Sequence, residues 1–445
     1  MILDLQEVAR AVEAVGDFPP VPVTGWSVDT RTQRPGDLYF ALRGPNHDGR
    51  DYVRAALENG AAGAVVERPA GLPGELVVKD SLRALQRLGA WARKRWGGTV
   101  VAVTGSAGKT TAKDAIAHLL AVELPVGKTV GNFNNHIGVP LSILRLPADC
   151  RAAVLEMGMN HAGELRDLAG IAQPDIGVVT NVGYAHVEFF GSIDGVAAAK
   201  RELIEALPPA GVAVLNADDP RVLAFRQAYA GRTVTFGFSE QADVRAERVE
   251  PGSGVSRFRA LGVEFECGAP GRHGVMNALA AIAVASVFQI APERLRDAVR
   301  SFVPGDMRGQ RTEHGGIVVW NDCYNSNPEA AESMLDVLRE TPAVKRIAVL
   351  GEMLELGLAA GELHRRVGRY AAQRKIDFLI GVRGNARAMV EAAQEAGLPA
   401  RFVESPAAAG EFAHEIARPG DAILFKGSRG VRVEDALERF LKADS

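Results

Sequence analysis

The amino-acid sequence predicts an α/β protein of three domains. Its 445 residues are enough for about three domains of roughly 150 residues each, and 47% of them are apolar, which supplies several buried cores. Short apolar segments alternate with helical patterns along most of the chain, an order typical of βαβ units with mostly parallel sheets. Segments rich in glycine and proline separate regions that differ in their pattern of predicted strands and helices. We therefore expect domains at 1–97, 98–306 and 307–445.

The composition excludes several classes of function. Lys+Arg total 51 and Asp+Glu total 54, a net charge of −3, so no global positive field attracts nucleic acid or an anionic membrane. Cys150, Cys267 and Cys323 are too widely spaced for a disulfide framework or a zinc ribbon. Acidic residues stand in 1–15 where a signal peptide would be positive, and 275–291 is short and polar for a membrane span. We expect a cytoplasmic protein that binds neither nucleic acid nor membrane.

The first region has the pattern of a small α/β domain. Its shorter predicted elements are two strands, a helix and a third strand, in that order, at 25–28, 38–42, 51–58 and 64–67. A longer helix is expected to begin after Asp80, a typical N-cap residue, and to close at Trp96, because Gly97 and Gly98 follow.

The second region predicts a mostly parallel sheet with a crevice at one edge. A β-branched run at 99–105 is followed by apolar strands at 152–158, 176–183 and 211–219. Ligands of such sheets bind beyond the carboxyl ends of the strands, which meet at one edge. The residues at these four ends are Thr104, Gly105, Glu156, Thr180, Asn181, Asn216, Asp218 and Asp219.

A glycine-rich loop between the first of these strands and a helix predicts a P-loop-type domain. Its residues, whose backbone N–H groups can face an anion at the helix N-terminus, are Thr104, Gly105, Ser106, Ala107, Gly108, Lys109, Thr110 and Thr111. Lys109 is placed to reach β- and γ-phosphates, and Thr110 to offer its hydroxyl to Mg²⁺. Val103 replaces the first glycine of the longer motif, and the chain has no N-K-x-D, which argues against a Ras-type GTPase. The alternative is a glycine-rich turn with a surface lysine.

The third region repeats the alternation and predicts a Rossmann-like α/β domain. Its expected strands lie at 317–320, 347–351, 378–381 and 422–425, and its expected helices at 329–340, 360–374, 385–396 and 406–417. The strand ends carry Asp322, Glu352 and Lys426. Proline and glycine in 304–311 predict a hinge before this region.

The loop TGSAGKTT resembles the ATP loop of the Mur ligases, which add amino acids to the peptidoglycan precursor. Matching segments run along the whole chain and are GNFNNHIGVP (131–140), LEMGMNHAGEL (155–165), TNVGYAHVEFFGS (180–192), AAAKREL (197–203), LNADDP (215–220), NDCYNSNP (321–328), LGEMLELG (350–357) with His364, and LFKGSRG (424–430). Y-N-S-N-P and L-G-E-M-x-E-L-G are similar to the branch that joins D-alanyl-D-alanine to UDP-N-acetylmuramoyl-tripeptide. The D-N-P-R-like motif of the tripeptide synthetase branch does not occur in the chain.

The resemblance implies an ATP-dependent ligase that forms UDP-N-acetylmuramoyl-pentapeptide through an acyl phosphate. It implies one or two Mg²⁺ ions, whose protein ligands are Thr110, Glu156 and His186. It also implies catalytic roles for Lys109, Lys200, Glu156 and His186. Judged without the resemblance, Glu156 could cap its loop, and His186 could be a core or loop histidine.

Lys200 falls on the inward stripe of a helix expected at 195–207. Its companions on that stripe are Val196, Leu203 and Leu207, while the residues expected to point away are Arg201, Glu202 and Glu205. A buried ammonium must snorkel, pair or be modified. The resemblance places Lys200 at the lysine that is carbamylated in several Mur ligases.

The resemblance also implies the groups that hold ATP, UDP-MurNAc-tripeptide and D-Ala-D-Ala. It assigns ATP to Asn277, Arg308 and Asp322, and the remaining crevice contacts to Asn132, Asn134, Asn135, Tyr324, Asn325, Asn327, Lys426, Ser428 and Arg429. The alternative for Asn132, Asn134 and Asn135 is that they only form a turn. The alternative for Lys426, Ser428 and Arg429 is a solvated K-G-S-R turn. The UDP contacts are expected at Ser27, Asp29, Arg31, His47 and Asp48, although Arg50 stands where the family has histidine.

The sequence leaves two other hypotheses open. One is another Mur ligase or a folylpolyglutamate-synthase-like protein, which shares the loop and the central domain. The other is a regulatory ATPase without ligation. The third residue of the tripeptide, lysine or diaminopimelate, is also open, and we expect a monomer.

Overall fold

The computed structural model describes residues 2–16, 18–250 and 255–442, which fold around separate sheets joined in sequence. The elements of the amino-terminal region are β1 (Leu3–Asp4), α1 (Leu5–Ala11), β2 (Pro22–Val23), β3 (Gly25–Ser27), β4 (Asp37–Phe40), α2 (Val53–Glu58), β5 (Gly63–Val66), β6 (Glu75–Val77) and α3 (Ser81–Trp96). Strands β3-β4-β5-β6 form a parallel sheet in that order, and β1 pairs with β2 in antiparallel fashion.

Helix α3 begins and ends as the sequence predicts. The Asp80 side chain accepts a hydrogen bond from the Arg83 backbone N–H, and Gly97 takes a left-handed φ of +70° after Trp96. Glycine adopts this conformation without the steric cost of a Cβ atom, which is why it ends the helix. The chain then enters the next sheet at Thr99, close to the predicted limit at 97. The domain limits themselves stay predictions.

The central region is built on a parallel sheet of order β13-β12-β11-β10-β7-β9-β8. Its elements are β7 (Thr99–Thr104), α4 (Lys109–Leu120), β8 (Val126–Lys128), α5 (Gly138–Leu144), β9 (Ala152–Glu156), α6 (Glu164–Ala172), β10 (Ile176–Val179), α7 (Val187–Phe190), α8 (Ile193–Glu205), β11 (Val212–Asn216), α9 (Pro220–Ala224), β12 (Arg232–Gly237), β13 (Val244–Arg245), β14 (Glu247–Glu250), β15 (Ser256–Ala260), β16 (Val263–Cys267), α10 (Gly271–Val287) and α11 (Arg296–Ser301). Strands β14-β15-β16 form a small antiparallel sheet beside it.

Helix α10 begins at Gly271, covers most of 275–291 and is largely buried. Alanines along it, including Ala280, Ala281 and Ala283, are fully buried, and small side chains let α4 pack closely against it. In the ranges that the structure describes, no helix combines the length and the apolar character needed to cross a bilayer.

The carboxy-terminal region has a sheet of order β17-β18-β22-β19-β20-β21, in which β17 alone among the described strands runs antiparallel to its neighbour. Its elements are β17 (Gln310–His314), β18 (Ile317–Asp322), α12 (Pro328–Glu340), β19 (Arg346–Gly351), α13 (Ala360–Gln373), β20 (Phe378–Val382), α14 (Ala386–Glu395), β21 (Ala400–Val403), α15 (Pro406–Ile416), β22 (Ala422–Lys426) and α16 (Val433–Lys442). The predicted strands and helices of this region are all present within a few residues.

The structure differs from two local predictions. The end of the expected hinge at 304–311 is the start of β17, because Gln310 and Arg311 pair with Asn321 and Trp320 of β18. Glu202 of α8 does not point to solvent: it is buried, and its carboxylate accepts hydrogen bonds from the Gly163 backbone N–H at 2.8 and 3.0 Å. Glu202 thereby provides the hydrogen-bond acceptor for an N–H group at the start of α6 that has no partner within the helix. Helical periodicity does not predict this contact, because it joins two different helices.

Candidate active site

A cavity of about 540 Å³ lies between the phosphate loop and the carboxy-terminal region. This volume suits a ligand the size of a nucleotide, since small-molecule sites measure roughly 300–1,000 Å³. The predicted site residues that line it are Ser106, Ala107, Gly108, Lys109, Thr110, Thr111, Asn132, Asn134, Asn135, Glu156, His186, Asn277, Arg308, Asp322, Tyr324, Asn325, Asn327, Lys426 and Arg429. The predicted residues that do not line it are Thr104, Gly105, Lys200, Ser428, Ser27, Asp29, Arg31, His47 and Asp48.

The phosphate loop is held in shape by the neighbouring strand end at Asn181. The Asn181 Oδ1 atom accepts hydrogen bonds from the backbone N–H groups of Ser106, at 3.1 Å, and Ala107, at 2.8 Å. Gly108, with φ +78°, starts α4, and the Lys109 ammonium folds back to the Gly105 carbonyl at 2.9 Å. The first N–H groups of a helix have no intrahelical partners, so the start of α4 presents free donors to an anion.

Glu156 meets two other predicted residues at the end of β9. Its Oε2 atom accepts from the Thr110 hydroxyl at 2.7 Å, and its Oε1 atom accepts from Asn134 Nδ2 at 2.8 Å. The carboxylate is 2% exposed and faces the cavity rather than capping a solvent-exposed loop.

This oxygen donor set fits a magnesium ion that is also held by phosphates. The described residues contain no group of three or more His, Cys, Asp or Glu side chains that could bind a metal alone. Mg²⁺ at nucleotide sites needs only one or two carboxylate or hydroxyl ligands, because phosphate oxygens and water complete its octahedron. Thr110 and Glu156 meet that requirement.

His186 lies in the cavity wall and contacts a residue that the sequence analysis did not assign. Its Nδ1 atom is 2.5 Å from Glu355 Oε2, across the boundary between the central and carboxy-terminal regions. The hydrogen bond from His186 lowers the pKa of the Glu355 carboxyl. Glu355 belongs to the L-G-E-M-x-E-L-G segment. The sequence motif therefore indicated a segment that reaches the cavity wall, but it did not single out Glu355.

Lys200 is buried as the helical stripe predicted. Its side chain is 1% exposed, and burial, followed by the positive charge of Lys109, lowers its pKa well below the ordinary value of 10.5. Lys109 responds to the same environment, since burial also lowers its pKa. The snorkelling alternative is therefore wrong for Lys200.

Lys426 and Ser428 are buried, so the alternative of a solvated K-G-S-R turn is wrong for them. The Lys426 ammonium donates to Asp322 Oδ2 at 2.6 Å and to the Asn325 carbonyl at 2.8 Å. Ser428 accepts from the Leu354 backbone N–H at 3.0 Å and does not reach the cavity.

The residues predicted to hold the nucleotide, Asn277, Arg308 and Asp322, all line this cavity. The Arg308 guanidinium lies 3.9 Å from the centre of the Tyr324 ring, and Asn277 approaches Gly108 closely enough that a Cβ there would be 2.9 Å from its Oδ1. His273, one turn before Asn277, lines the cavity, and burial lowers its pKa.

Helix α12 of the carboxy-terminal region touches the central region directly. Asn327, its N-cap, donates to the Ser106 carbonyl at 3.3 Å, and Glu329 accepts from the Tyr184 backbone N–H at 3.3 Å. Glu329 was missed because a helix-start glutamate is ordinary in sequence. Its role depends on a contact between residues that are 145 positions apart.

Residues at the fourth strand end support the crevice without lining it. Asn216 donates to the Thr180 carbonyl at 2.7 Å, and Asp219 accepts from the Val182 backbone N–H at 2.7 Å. Asp218 accepts from the backbone N–H groups of Phe238 and Ser239. The predicted crevice is thus formed at β7, β9 and β10, and β11 braces it.

The predicted UDP residues lie apart from the cavity on the amino-terminal sheet. Ser27, Asp29 and Arg31 bond to one another, and Asp29 and Arg31 form an exposed ion pair. Asp48 accepts from the Arg50 backbone N–H and from the Arg68 guanidinium, while His47 is exposed. Their assignment stays a prediction.

Three family models match consecutive parts of the chain. They are described as Mur ligase family, catalytic domain (residues 22–119), Mur ligase middle domain (103–285), and Mur ligase, glutamate ligase domain (307–429).

Curated relatives named UDP-N-acetylmuramoyl-tripeptide–D-alanyl-D-alanine ligase match nearly the full chain. The Bacillus subtilis protein is 34% identical over 99% of this chain and 98% of its own length. The Escherichia coli protein is 34% identical over 92% of each. Among solved structures, MurF from Acinetobacter baumannii superposes with a TM-score of 0.93 at 29% identity, covering 99% of both chains. MurF ligase from Thermotoga maritima in complex with ADP gives 0.85 at 30% identity, covering 94% of this chain and 97% of that one.

Proposed function

This chain belongs to the Mur ligase family, and we propose that it joins D-alanyl-D-alanine to UDP-N-acetylmuramoyl-tripeptide at the expense of ATP. The observation that carries the proposal is the cavity itself. A phosphate loop, a buried carboxylate and the cations of the carboxy-terminal region face one another across it. Such a site can bring a triphosphate and a carboxylate together despite their like charges.

In the first step, the residues of α4 hold ATP for attack. The free N–H groups at its start and the Lys109 ammonium bind the β- and γ-phosphates, and Arg308 and Asn277 hold the remainder of the nucleotide. A carboxylate oxygen of the tripeptide attacks the γ-phosphorus, ADP leaves, and an acyl phosphate forms. Phosphoryl transfer of this kind needs positioning and charge neutralisation more than covalent help from the protein.

Mg²⁺ bound to the nucleotide would neutralise charge on the transferring phosphoryl group. Thr110 and Glu156 would be its protein ligands, because they already present a hydroxyl and a carboxylate to one point of the cavity. His186 is the proposed ligand of a second ion, and it would exchange its contact with Glu355 for that role.

Lys200 is proposed to carry a carbamate. The neutral amine would add to CO₂ and release a proton, a reaction that its lowered pKa favours. Without modification, the ammonium groups of the buried Lys200 and the half-buried Lys109 repel each other. A carbamate would reverse the sign of that interaction and place a carboxylate beside the phosphate loop.

In the second step, the uncharged amine of D-alanyl-D-alanine attacks the acyl carbon, and phosphate leaves with its electron pair and takes up the proton that the nitrogen loses. Lys426 and Arg429 are the proposed partners of the dipeptide carboxylate, with Tyr324 and Asn325 beside them in the wall. Asn132, Asn134 and Asn135 would hold the sugar or peptide of the other substrate. Its UDP end would lie on the amino-terminal sheet, at Ser27, Asp29, Arg31, His47 and Asp48.

Phosphate release tests this function when each component is omitted in turn. The complete mixture contains ATP, Mg²⁺, D-alanyl-D-alanine and UDP-MurNAc-tripeptide, made separately with lysine and with diaminopimelate as the third residue. We expect sustained release and a pentapeptide product only in the complete mixture. Release that continues without both peptide substrates would identify a regulatory ATPase and overturn the proposal.

A further inference from the structure

Lys113 is a buried lysine that the mechanism above does not use. It lies on α4, one helical turn beyond Lys109 and Thr110, is 2% exposed, and does not line the cavity. Burial lowers its pKa, while the charges of Asp114 and Glu156 act in the opposite direction. An ammonium in such a place is costly unless it is paired and hydrogen-bonded, so its partners indicate its role.

The Lys113 ammonium contacts the neighbouring Asp114 carboxylate at 3.3 Å and the main chain at Thr129. Lys113 Nζ donates to the Thr129 carbonyl at 2.8 Å. Thr129 is fully buried immediately after β8, and its own N–H donates to the Val154 carbonyl of β9 at 3.1 Å. Lys113 thus ties α4 to the point where the edge strand β8 leaves the sheet.

Thr129 in turn holds the main chain of Glu156. Its hydroxyl accepts from the Glu156 backbone N–H at 3.1 Å. The loop that starts at Thr129 also supplies Asn134, whose side chain donates to Glu156 Oε1 and whose carbonyl accepts from Gly158 N–H, both at 2.8 Å. The glutamate is therefore fixed at its backbone and at its carboxylate by one loop.

We propose that Lys113 is a positioning residue for Glu156, acting through Thr129 to hold the carboxylate in the place where magnesium and the Thr110 hydroxyl meet. Helix α4 then sets three groups in one frame: the phosphate donors, the hydroxyl and, through Lys113, the carboxylate. This inference rests on the magnesium site of the proposed function.

Lys128 provides a matched control. Asp114 contacts both lysines, Lys128 Nζ at 2.6 Å and Lys113 Nζ at 3.3 Å. Lys128 is 47% exposed, and its ammonium does not make the Thr129 contact that Lys113 makes. Lys128→Met removes a partner of Asp114 while leaving Thr129 held, whereas Lys113→Met removes the ammonium that holds Thr129.

The test measures ADP binding to the full-length protein by calorimetry, with Mg²⁺ and with the ion chelated. We expect Mg²⁺ to strengthen binding by the same factor in the wild type and in Lys128→Met. In Lys113→Met that factor should fall by about tenfold or more, the usual effect of disturbing a group that supports a metal ligand. Affinity for metal-free ADP should be unchanged, because Lys109 and the phosphate loop are intact. An unchanged factor, or an equal loss with and without Mg²⁺, would overturn the inference.

Thr129 gives a second pair of variants that decides the question if Lys113→Met does not fold. Thr129→Val removes the hydroxyl at nearly constant volume and should also reduce the Mg²⁺ factor, while Thr129→Ser should restore it. Equal factors in the two variants would contradict the proposed path. A wild-type protein in which Mg²⁺ has no effect on ADP affinity would instead overturn the magnesium site, and the inference with it.

Discussion

Lys200 and Lys109 show how burial sets the chemistry of single residues. The Lys200 ammonium is removed from water, Lys109 is half-buried in the cavity wall, and the charge of Lys109 contributes to the low pKa of Lys200. The uncharged form of Lys200 is therefore favoured, which is the form that reacts with CO₂. Sequence periodicity predicted the burial, because Lys200 shares a stripe with apolar residues. It could not predict that Lys109 is the neighbour.

Lys200→Ala should lower kcat by about a hundredfold or more, the scale seen when one electrostatic stabiliser of a transition state is lost. ADP binding should be retained, because the contacts of the phosphate loop do not pass through Lys200. Arg201→Ala is the matched control on the same helix, since its side chain is 45% exposed and pairs with Glu205. Steady-state kinetics and ADP calorimetry check both variants, and near-normal turnover in Lys200→Ala would exclude the proposed role.

The carbamate itself has a spectroscopic signature. With ¹³C-labelled CO₂, the wild-type protein should show a carbamate carbon resonance that is absent from Lys200→Ala and present in Arg201→Ala. Chemical shifts of this carbon are distinct from those of free bicarbonate. A wild-type spectrum identical to that of Lys200→Ala would show that Lys200 is unmodified.

Site residues next to strand ends were predictable, and residues that act by tertiary contact were not. Glu156 and Lys109 stand at positions where a parallel sheet delivers its ligands. Glu355 and Glu329 act across the boundary between two regions, and nothing in their local sequence distinguishes them from surface glutamates. Lys426 was expected in the site, but its ion pair with Asp322, 104 positions away, was not.

At the scale of elements, the turn after β19 depends on a neutral histidine. His364 is fully buried, its Nε2 atom accepts from the Met353 backbone N–H at 2.9 Å, and Nδ1 is 2.6 Å from the Ala360 carbonyl. Burial lowers the pKa of His364 below its ordinary value of 6.5. Protonation would place a hydrogen on Nε2 and break the bond to Met353. The turn that carries Glu355 is therefore built for the uncharged ring.

This arrangement predicts a pH dependence of stability. Between the lowered folded pKa and 6.5, the unfolded chain binds more protons at His364 than the folded chain does, so stability falls as pH drops below 6.5. One proton contributes at most about 1.4 kcal/mol per pH unit. Denaturant unfolding from pH 7.5 to 5.5 should show a smaller decline in His364→Gln than in the wild type. His161→Gln, with an exposed ring, should behave like the wild type, and parallel declines in all three proteins would contradict the prediction.

Gly183 lies where the central region contacts α12, so a substitution there tests whether activity depends on that contact. Its backbone is not left-handed, but a Cβ atom there would be 2.6 Å from Glu329 Oε2. Gly183→Ala should therefore fold normally but push the Glu329 carboxylate away from the Tyr184 backbone N–H, which weakens the contact of α12 with the central region and lowers kcat, by up to about a hundredfold if α12 itself moves by 1 Å. Adding Glu329→Ala removes the obstructing carboxylate and should restore part of the activity. A double variant no better than Gly183→Ala would show that steric exclusion is not the cause.

Elements were predicted well where apolar runs are continuous and less well at sheet edges. The buried strands β7, β9, β10 and β22 are dominated by apolar residues, and their patterns are distinct. Strand β17 is polar and partly exposed, so its sequence does not indicate a strand, and Pro304 and Gly309 led to the prediction of a hinge. In the structure, β17 begins at residue 310 because it pairs with β18. Strand pairing joins residues that are distant in sequence, so local composition cannot predict it.

At the scale of the whole molecule, the contacts of α12 describe a closed arrangement. Asn327 reaches the phosphate loop, Glu329 reaches Tyr184, and the Glu355 carbonyl accepts from the Glu188 backbone N–H at 3.3 Å. Closure of this kind excludes water from a reactive acyl phosphate. Small-angle scattering of the wild type should therefore show a smaller radius of gyration with an ATP analogue and UDP-MurNAc-tripeptide together. Gly183→Ala should show a weaker decrease, and a wild-type profile that ligands do not change would contradict ligand-driven closure.

If the cavity brings a carboxylate oxygen onto the γ-phosphorus of ATP, that oxygen must be transferred to phosphate, and isotope labelling detects the transfer. The tripeptide is prepared with ¹⁸O in its terminal carboxylate, and inorganic phosphate from a complete reaction is examined by mass spectrometry. We expect one ¹⁸O atom in each phosphate released, because the oxygen that attacks phosphorus leaves with it when the amide forms. Phosphate without ¹⁸O would mean that water attacked ATP, and would overturn the proposed acyl phosphate.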